Sequence, residues 1–138
     1  MLTIDNIHPE SQPTMQAIDR RDSPPLSHAI VHNGTVHVSG QVGFKPGTTE
    51  VIAADIEAQC RQTFAHIDRI LEQAGSSRRN IIRCTVYLTN VQRDFPVMNR
   101  CYAEWLGDQR PARTTIGVAL ALPELLVEMD CIAAVEQP

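Results

Sequence analysis

No run of apolar residues in this 138-residue chain approaches the roughly 20 that a helix needs to cross a bilayer, which excludes helical membrane spanning. The opening residues, MLTIDNIHPESQPTMQAIDRRD, show neither a basic stretch followed by an apolar one nor an Arg/Ser-rich amphipathic pattern, so a cytoplasmic location is expected. No C-x-x-C pair occurs. Cys60, Cys84, Cys101 and Cys131 are scattered inside apolar patterns and, in a reducing compartment, read as small core residues rather than disulfides or metal ligands. An excess of positive charge is also missing: the formal net charge is −4, which removes the main driving force for binding a polyanion, so nucleic acid is not an expected partner. The nearest thing to a basic cluster, Arg78 and Arg79 with Arg83, reads as a solvated turn entering a strand. A glycine-rich phosphate loop, a dinucleotide fingerprint and a nucleophile elbow around Ser39 are all absent. His28, His32 and His37 surround one predicted hairpin, but no further ligand stands at a convincing metal-binding distance in the sequence, and no metal is expected.

What is present is an ordinary globular composition, 43% hydrophobic and 20% charged, on a chain of single-domain length. We expect one domain over residues 1–138, with 1–22 an irregular N-terminal extension. Two β-branched runs flank Asn33-Gly34, a strong two-residue hairpin signal. From Asp55 the period changes: Ile56, Cys60, Phe64, Ile67, Leu71 and Ala74 recur at three- and four-residue intervals between a capping Asp55 and a terminating Gly75, which predicts a helix. Asn80 to Asn90 reads as a strand with Ile82, Cys84, Val86 and Leu88 on one face. A second helix is predicted from about Phe95 to Leu106, with Asp94 as cap and Pro96 in the first turn. Two last strands, about Ala112 to Leu120 and Leu125 to Val135, are joined through Pro123.

The order β-β-α-β-α-β-β implies an α+β fold, a single sheet of five to six strands with both helices on one face. In the last two strands Thr114, Ile116, Val118 and Leu120, with Val127, Met129 and Cys131, look like the core-facing set. The alternate set is too apolar for a face washed by water, yet only two helices are available as cover. A second subunit is the expected cover.

Within that alternate set stand two ionisable residues, Arg113 and Glu128. If a subunit covers them, each loses water and needs a partner, because desolvating an ion costs several kcal/mol. They pair with each other, or Arg113 with Asp130, as a structural bridge; or they form an anion pocket in which a planar guanidinium grips a carboxylate and a nearby carboxylate handles water. Periodicity leaves both readings open.

The segments that carry these residues resemble a known family. PARTTIGVALALPELLVEMDCIAA is similar to the C-terminal signature of the Rid family (reactive intermediate deaminases, also labelled L-PSP endoribonucleases). PPLSHAIVHNGTVHVSGQVG resembles its N-terminal hairpin ending in Ser39-Gly40-Gln41, and CTVYLTNVQRDFPVMNRCYAEWL its strand and following helix with Asn99 and Tyr102. The resemblance implies a trimer of chorismate-mutase-like fold with three clefts between subunits. It also implies cofactor-free hydrolysis of small imino or enamino acids to 2-keto acids and ammonia, of the 2-iminobutanoate/2-iminopropanoate deaminase type, with 2-aminomuconate-type enamines as alternative substrates. Carried over, Arg113 matches the carboxylate-binding arginine, Glu128 the glutamate that positions water, and Asn99 and Gln41 polar residues of the cleft. Thr115 stands where the best-known branch has a cysteine, and Leu26 where it has a tyrosine; both belong to the expected substrate-binding set. The rival expectation is a non-catalytic trimer that binds small carboxylates as a regulator or stress-protective factor. A ribonuclease is disfavoured by the acidic balance.

Overall fold

The computed structural model describes residues 14–137, and it corrects the start of the chain. Gln16–Asp22, expected to lie in an irregular extension over 1–22, is strand β1, paired antiparallel with β2 (Pro25–His32). Its sequence hides the strand because an edge strand exposed on both sides needs only one inward anchor: Ile18 is buried opposite Ala29, and the rest of β1 faces solvent. The remainder of the expected extension, residues 1–13, lies outside the described residues.

The hairpin forms as its composition demands. Asn33 and Gly34 adopt φ of 51° and 76°, the left-handed pair that matches the twist of the flanking strands, and they join β2 to β3 (Thr35–Val42). Helix α1 (Ile56–Gln73) follows, its first turn capped by Asp55, which accepts from the Ala58 amide at 2.8 Å. A short 3₁₀ turn at Arg78–Asn80 leads into β4 (Ile81–Leu88). There a register shift against β6 (Val127–Ala134) buries Ile81 and leaves Ile82 49% exposed, so strict alternation had assigned the wrong isoleucine to the core.

Helix α2 (Val91–Leu106) begins one turn earlier than Asp94 suggested. Asn90 is the cap, accepting from the Arg93 amide at 3.2 Å, while Asp94 is buried and held by both arms of Arg93 at 2.9 and 3.0 Å. Pro96 therefore sits inside the helix rather than in its opening turn. The last two strands, β5 (Ala112–Gly117) and β6, are both shorter than predicted.

The six strands form one sheet in the order β1-β2-β3-β6-β4-β5. The β4–β5 pair, joined through α2, is parallel, and the other pairs are antiparallel. This gives the expected α+β architecture, with one strand more at the N-terminus than the predicted element order held. Both helices pack on the face that carries Val36, Val38, Cys84, Val86, Val127, Met129 and Cys131, and α1 adds Phe64, Ile67, Ile70 and Leu71 to that core. All four cysteines are buried there with free thiols, as their apolar surroundings implied; burial pushes the Cys60 thiol up to about 12. One polar side chain inside the core ties down two loops. The Gln59 amide donates to Ala53 and Glu124 carbonyls at 2.8 and 3.0 Å and accepts from the Leu126 amide at 2.8 Å, leaving no buried amide atom unpaired.

Candidate active site in two halves

Arg113 lies on the helix side of the sheet, contrary to the expectation that it shares the uncovered face with Glu128. In the parallel ladder Arg113 stands opposite Cys84 and Thr115 opposite Val86, and paired residues of neighbouring strands share a face. Thr114 and Ile116, read as core-facing, are opposite Thr85 and Tyr87 on the open side, where Ile116 is 40% exposed. The inversion has a simple cause. An edge strand takes its face from the register of its neighbour, and the apolar Ile116 belongs to the uncovered surface.

One face of α2 builds the seat of Arg113. Residues 95, 98, 99 and 102 recur at helical spacing, which stacks them along the side that meets β5. The guanidinium lies 4.8 Å from the centre of the Tyr102 ring and 5.8 Å from that of Phe95, and it donates to Asn99 Oδ1 at 2.7 Å. Its second terminal nitrogen has only the Met98 sulfur, at 4.0 Å. No carboxylate of the described residues pairs with it. Thr115, two residues along on the same face, has a buried hydroxyl with no hydrogen-bond partner among the described residues, and so has Tyr102. The result is a half-buried, oriented cation with spare donors beside it, suited to a planar anion such as a carboxylate.

Glu128 lies on the opposite face. It stands opposite Tyr87 of β4 and Val42 of β3, with Asp130 two residues on. Its carboxylate passes over the β3 bulge at Gly40, where an added Cβ would come within 2.3 Å of Oε2; no larger residue fits there without displacing it. Among the described residues Glu128 has no hydrogen-bond or ion-pair partner, and its pKa is raised, first by burial and then by the charge of Asp130. Asp130 is engaged elsewhere, accepting from the Tyr87 hydroxyl at 2.7 Å. The structural bridge of Arg113 with Glu128 or Asp130 is therefore not formed within the chain.

The other predicted site residues divide in the same way. Arg113, Asn99 and Thr115 come together on the helix side of β5. Gln41, on β3 opposite Met129, is buried; its amide contacts His28 Nδ1 at 3.1 Å and the Ser39 carbonyl at 3.2 Å. The other nitrogen of His28 is 3.4 Å from Asp19 on β1, so this histidine links two strands. Leu26 on β2 is 39% exposed, four strands away from β5, about 19 Å at the usual strand spacing. Arg113 and Glu128 are themselves about 14 Å apart at the backbone by the same spacing, two strands and three residues distant, with the sheet between their side chains. Phe95, Met98 and Tyr102 read in the sequence as the core stripe of α2; their spacing against a lone arginine is the signal that they form its cradle. A groove of about 450 Å³ on the outer side of the helices, lined by Asp68, Arg78 and Trp105 among others, lies apart from both halves. There Arg78 and the Trp105 indole both donate to Asp68.

With the geometry in view, the chain can be set beside known proteins. The family model described as Endoribonuclease L-PSP matches residues 17–135. A RutC family protein of Pyrococcus abyssi is 37% identical over 109 residues, covering 79% of this chain and 85% of its own. A Dermatophagoides farinae protein named 2-iminobutanoate/2-iminopropanoate deaminase is 30% identical over 112 residues, covering 81% and 87%. The crystal structure of a Rid family protein of unknown function from Yersinia pestis superposes with a TM-score of 0.81 at 34% identity, covering 88% of this chain and all of that one. The match over nearly the whole described chain, in sequence and in fold, makes this protein a member of the Rid (endoribonuclease L-PSP) family.

Proposed function

We propose that the protein is an enamine/imine deaminase that hydrolyses small 2-imino or enamino carboxylic acids to 2-keto acids and ammonia, at clefts formed between copies of the chain in a cytoplasmic homotrimer. The observation that carries the reading is the pair of incomplete half-sites. Among the described residues, an arginine preorganised for a carboxylate has no anion, and a glutamate of raised pKa has no cation. They lie on opposite faces of one sheet, so only a second copy brings an Arg113 to a Glu128. Because the two surfaces differ, such a contact is head-to-tail, and a head-to-tail contact whose rotation closes makes a ring. A ring of three holds three equivalent clefts. The relative named 2-iminobutanoate/2-iminopropanoate deaminase supports the substrate class.

In this reading Arg113, held flat by Tyr102 and Phe95 and fixed in plane by Asn99, takes the substrate carboxylate. The imine carbon then faces Glu128 of the next copy. Glu128 accepts a proton from water as the oxygen bonds to the carbon, and the C=N π pair moves to nitrogen, which takes that proton back from Glu128. Glu128 then removes the hydroxyl proton of the carbinolamine and passes it to the amine; the C–N bond breaks as C=O forms, releasing ammonia and the keto acid. Proton transfer by one positioned carboxylate supplies roughly 10²- to 10⁴-fold of rate. Leu26, exposed on β2, is read as part of the wall that faces the substrate side chain, and Gln41, buried opposite the core residue Met129, as support behind that wall.

Imino acids generated in situ by an amino-acid oxidase test the reading, with keto acid and ammonia release followed across small, aliphatic and aromatic side chains. Acceleration that Arg113→Ala and Glu128→Ala both abolish is the expected result. A trimer that binds keto acids without accelerating any imine would instead make it a carboxylate-binding regulator. A monomer by light scattering at micromolar concentration would remove the cleft altogether.

A further inference from the structure

The sheet places a second carboxylate beside Glu128 and fixes it there, and we propose that Asp130, clamped by Tyr87, is a positioning residue that sets the pH range over which Glu128 works as a base. The inference rests on the deaminase reading for the role of Glu128 and adds what controls it. Three features of the geometry carry it. Glu128 and Asp130 alternate on β6 and project from the same open face, so their carboxylates are neighbours across one intervening residue. Tyr87 stands directly opposite Glu128 on β4, yet its hydroxyl reaches along the strand to Asp130 at 2.7 Å rather than to its cross-strand partner. Gly40 on β3 leaves room for the Glu128 carboxylate to lie over the bulge, free of any fixed donor.

The division of labour follows from which carboxylate holds the donor. A phenol hydrogen bond fixes its carboxylate acceptor in place, so Asp130 is oriented and immobile beside Glu128. Glu128 has no such donor, and a fixed negative neighbour disfavours its own charge on top of the cost of burial; both effects raise its pKa. A carboxylate whose proton affinity is raised in this way is suited to cycling a proton. Among the described residues, the charged or titratable side chains that face Glu128 are Asp130 of β6 and Tyr87 of β4; from β3 its neighbour is the backbone at Gly40. In the assembled cleft, Arg113 of the second copy pulls in the opposite sense until the substrate carboxylate neutralises it.

The sign of the effect is fixed. Glu128 must be ionised to accept a proton, so activity falls as pH drops through its pKa, and removing the Asp130 charge moves that fall to lower pH. Asp130→Asn keeps an oxygen for the Tyr87 hydroxyl and deletes only the charge. The test is the acidic limb of kcat/KM for imine hydrolysis in the intact oligomer, together with direct titration of Glu128 by carboxyl-carbon NMR. In Asp130→Asn both midpoints are expected to shift to lower pH without returning to that of a free glutamate, because burial persists. Tyr87→Phe, which frees Asp130 to swing away, gives a smaller shift in the same direction, and Asp130→Glu stays near the parent. An NMR midpoint of Glu128 unmoved by Asp130→Asn overturns the proposal even if the protein hydrolyses imines. A shifted midpoint in a protein that hydrolyses none overturns only the deaminase reading.

Discussion

The two halves of the candidate site are built in opposite ways. Around Arg113 the chain supplies nearly everything: an aromatic ring on which the guanidinium stacks, a second ring at its edge, and an amide oxygen that fixes one nitrogen. Around Glu128 it supplies almost nothing except space, a neighbouring negative charge and an uncovered sheet face. The binding half costs little reorganisation when a carboxylate arrives, because its geometry is set by one helix packed on one strand. The half around Glu128 is left electrostatically unsatisfied among the described residues. On the proposed reading it is completed by a second copy, and a single copy then has no competent site.

The contrast is open to experiment at each half. The largest expected effect is on the proton-handling side: Glu128→Gln should lower kcat by roughly 10²- to 10⁴-fold while leaving keto-acid affinity within about 2-fold of the parent. Equal losses in rate and affinity would mean that the two halves do not divide their work. On the binding side, Arg113→Lys keeps the charge but loses the planar fork and the stacking. An increase of roughly 10- to 100-fold in the dissociation constant for a keto acid, measured by calorimetry, is expected from losing charge-assisted hydrogen bonds of about 1.5–3 kcal/mol. Gly40→Ala sharpens the comparison, since the added Cβ meets only the flexible end of Glu128. Its melting temperature should stay close to the parent's while activity falls by roughly 10-fold or more through displacement of the base. The smallest effect is Asn90→Ala, which removes the cap of the helix that seats Arg113. A loss of about 1 kcal/mol of stability in denaturant titration is expected, with little change in kcat.

Much of this could be read before any coordinates. The left-handed hairpin at Asn33-Gly34, the Asp55 cap and the amphipathic stripe of α1 follow from local chemistry, and the structure shows each of them. So does burial of the four cysteines. Arg113 and Glu128 were conspicuous as charges inside apolar strands, and segment-by-segment resemblance put them in a named family. The failures share a cause. β1 was missed because an edge strand with a single buried side chain has no alternation to find, and Ile82 was misplaced by a register shift that leaves no mark in composition.

The face of Arg113 is the most instructive case. Side-chain alternation along β5 is local and was read correctly as a period of two, but which parity faces the helices depends on how β5 docks against β4, a partner 24 or more residues earlier in the chain. Hydrophobicity pointed the wrong way, since Ile116 covers the open surface while the arginine packs under α2. The sequence by itself determined the elements, the turn chemistry and the identity of the two charged residues, because those depend on neighbours a few positions away. Only the tertiary structure decided that the two charges lie on opposite faces and that Tyr87 is spent on Asp130 rather than on Glu128. Register and strand order are fixed by contacts between distant segments, and it is those contacts that leave each chain with two half-sites instead of one whole.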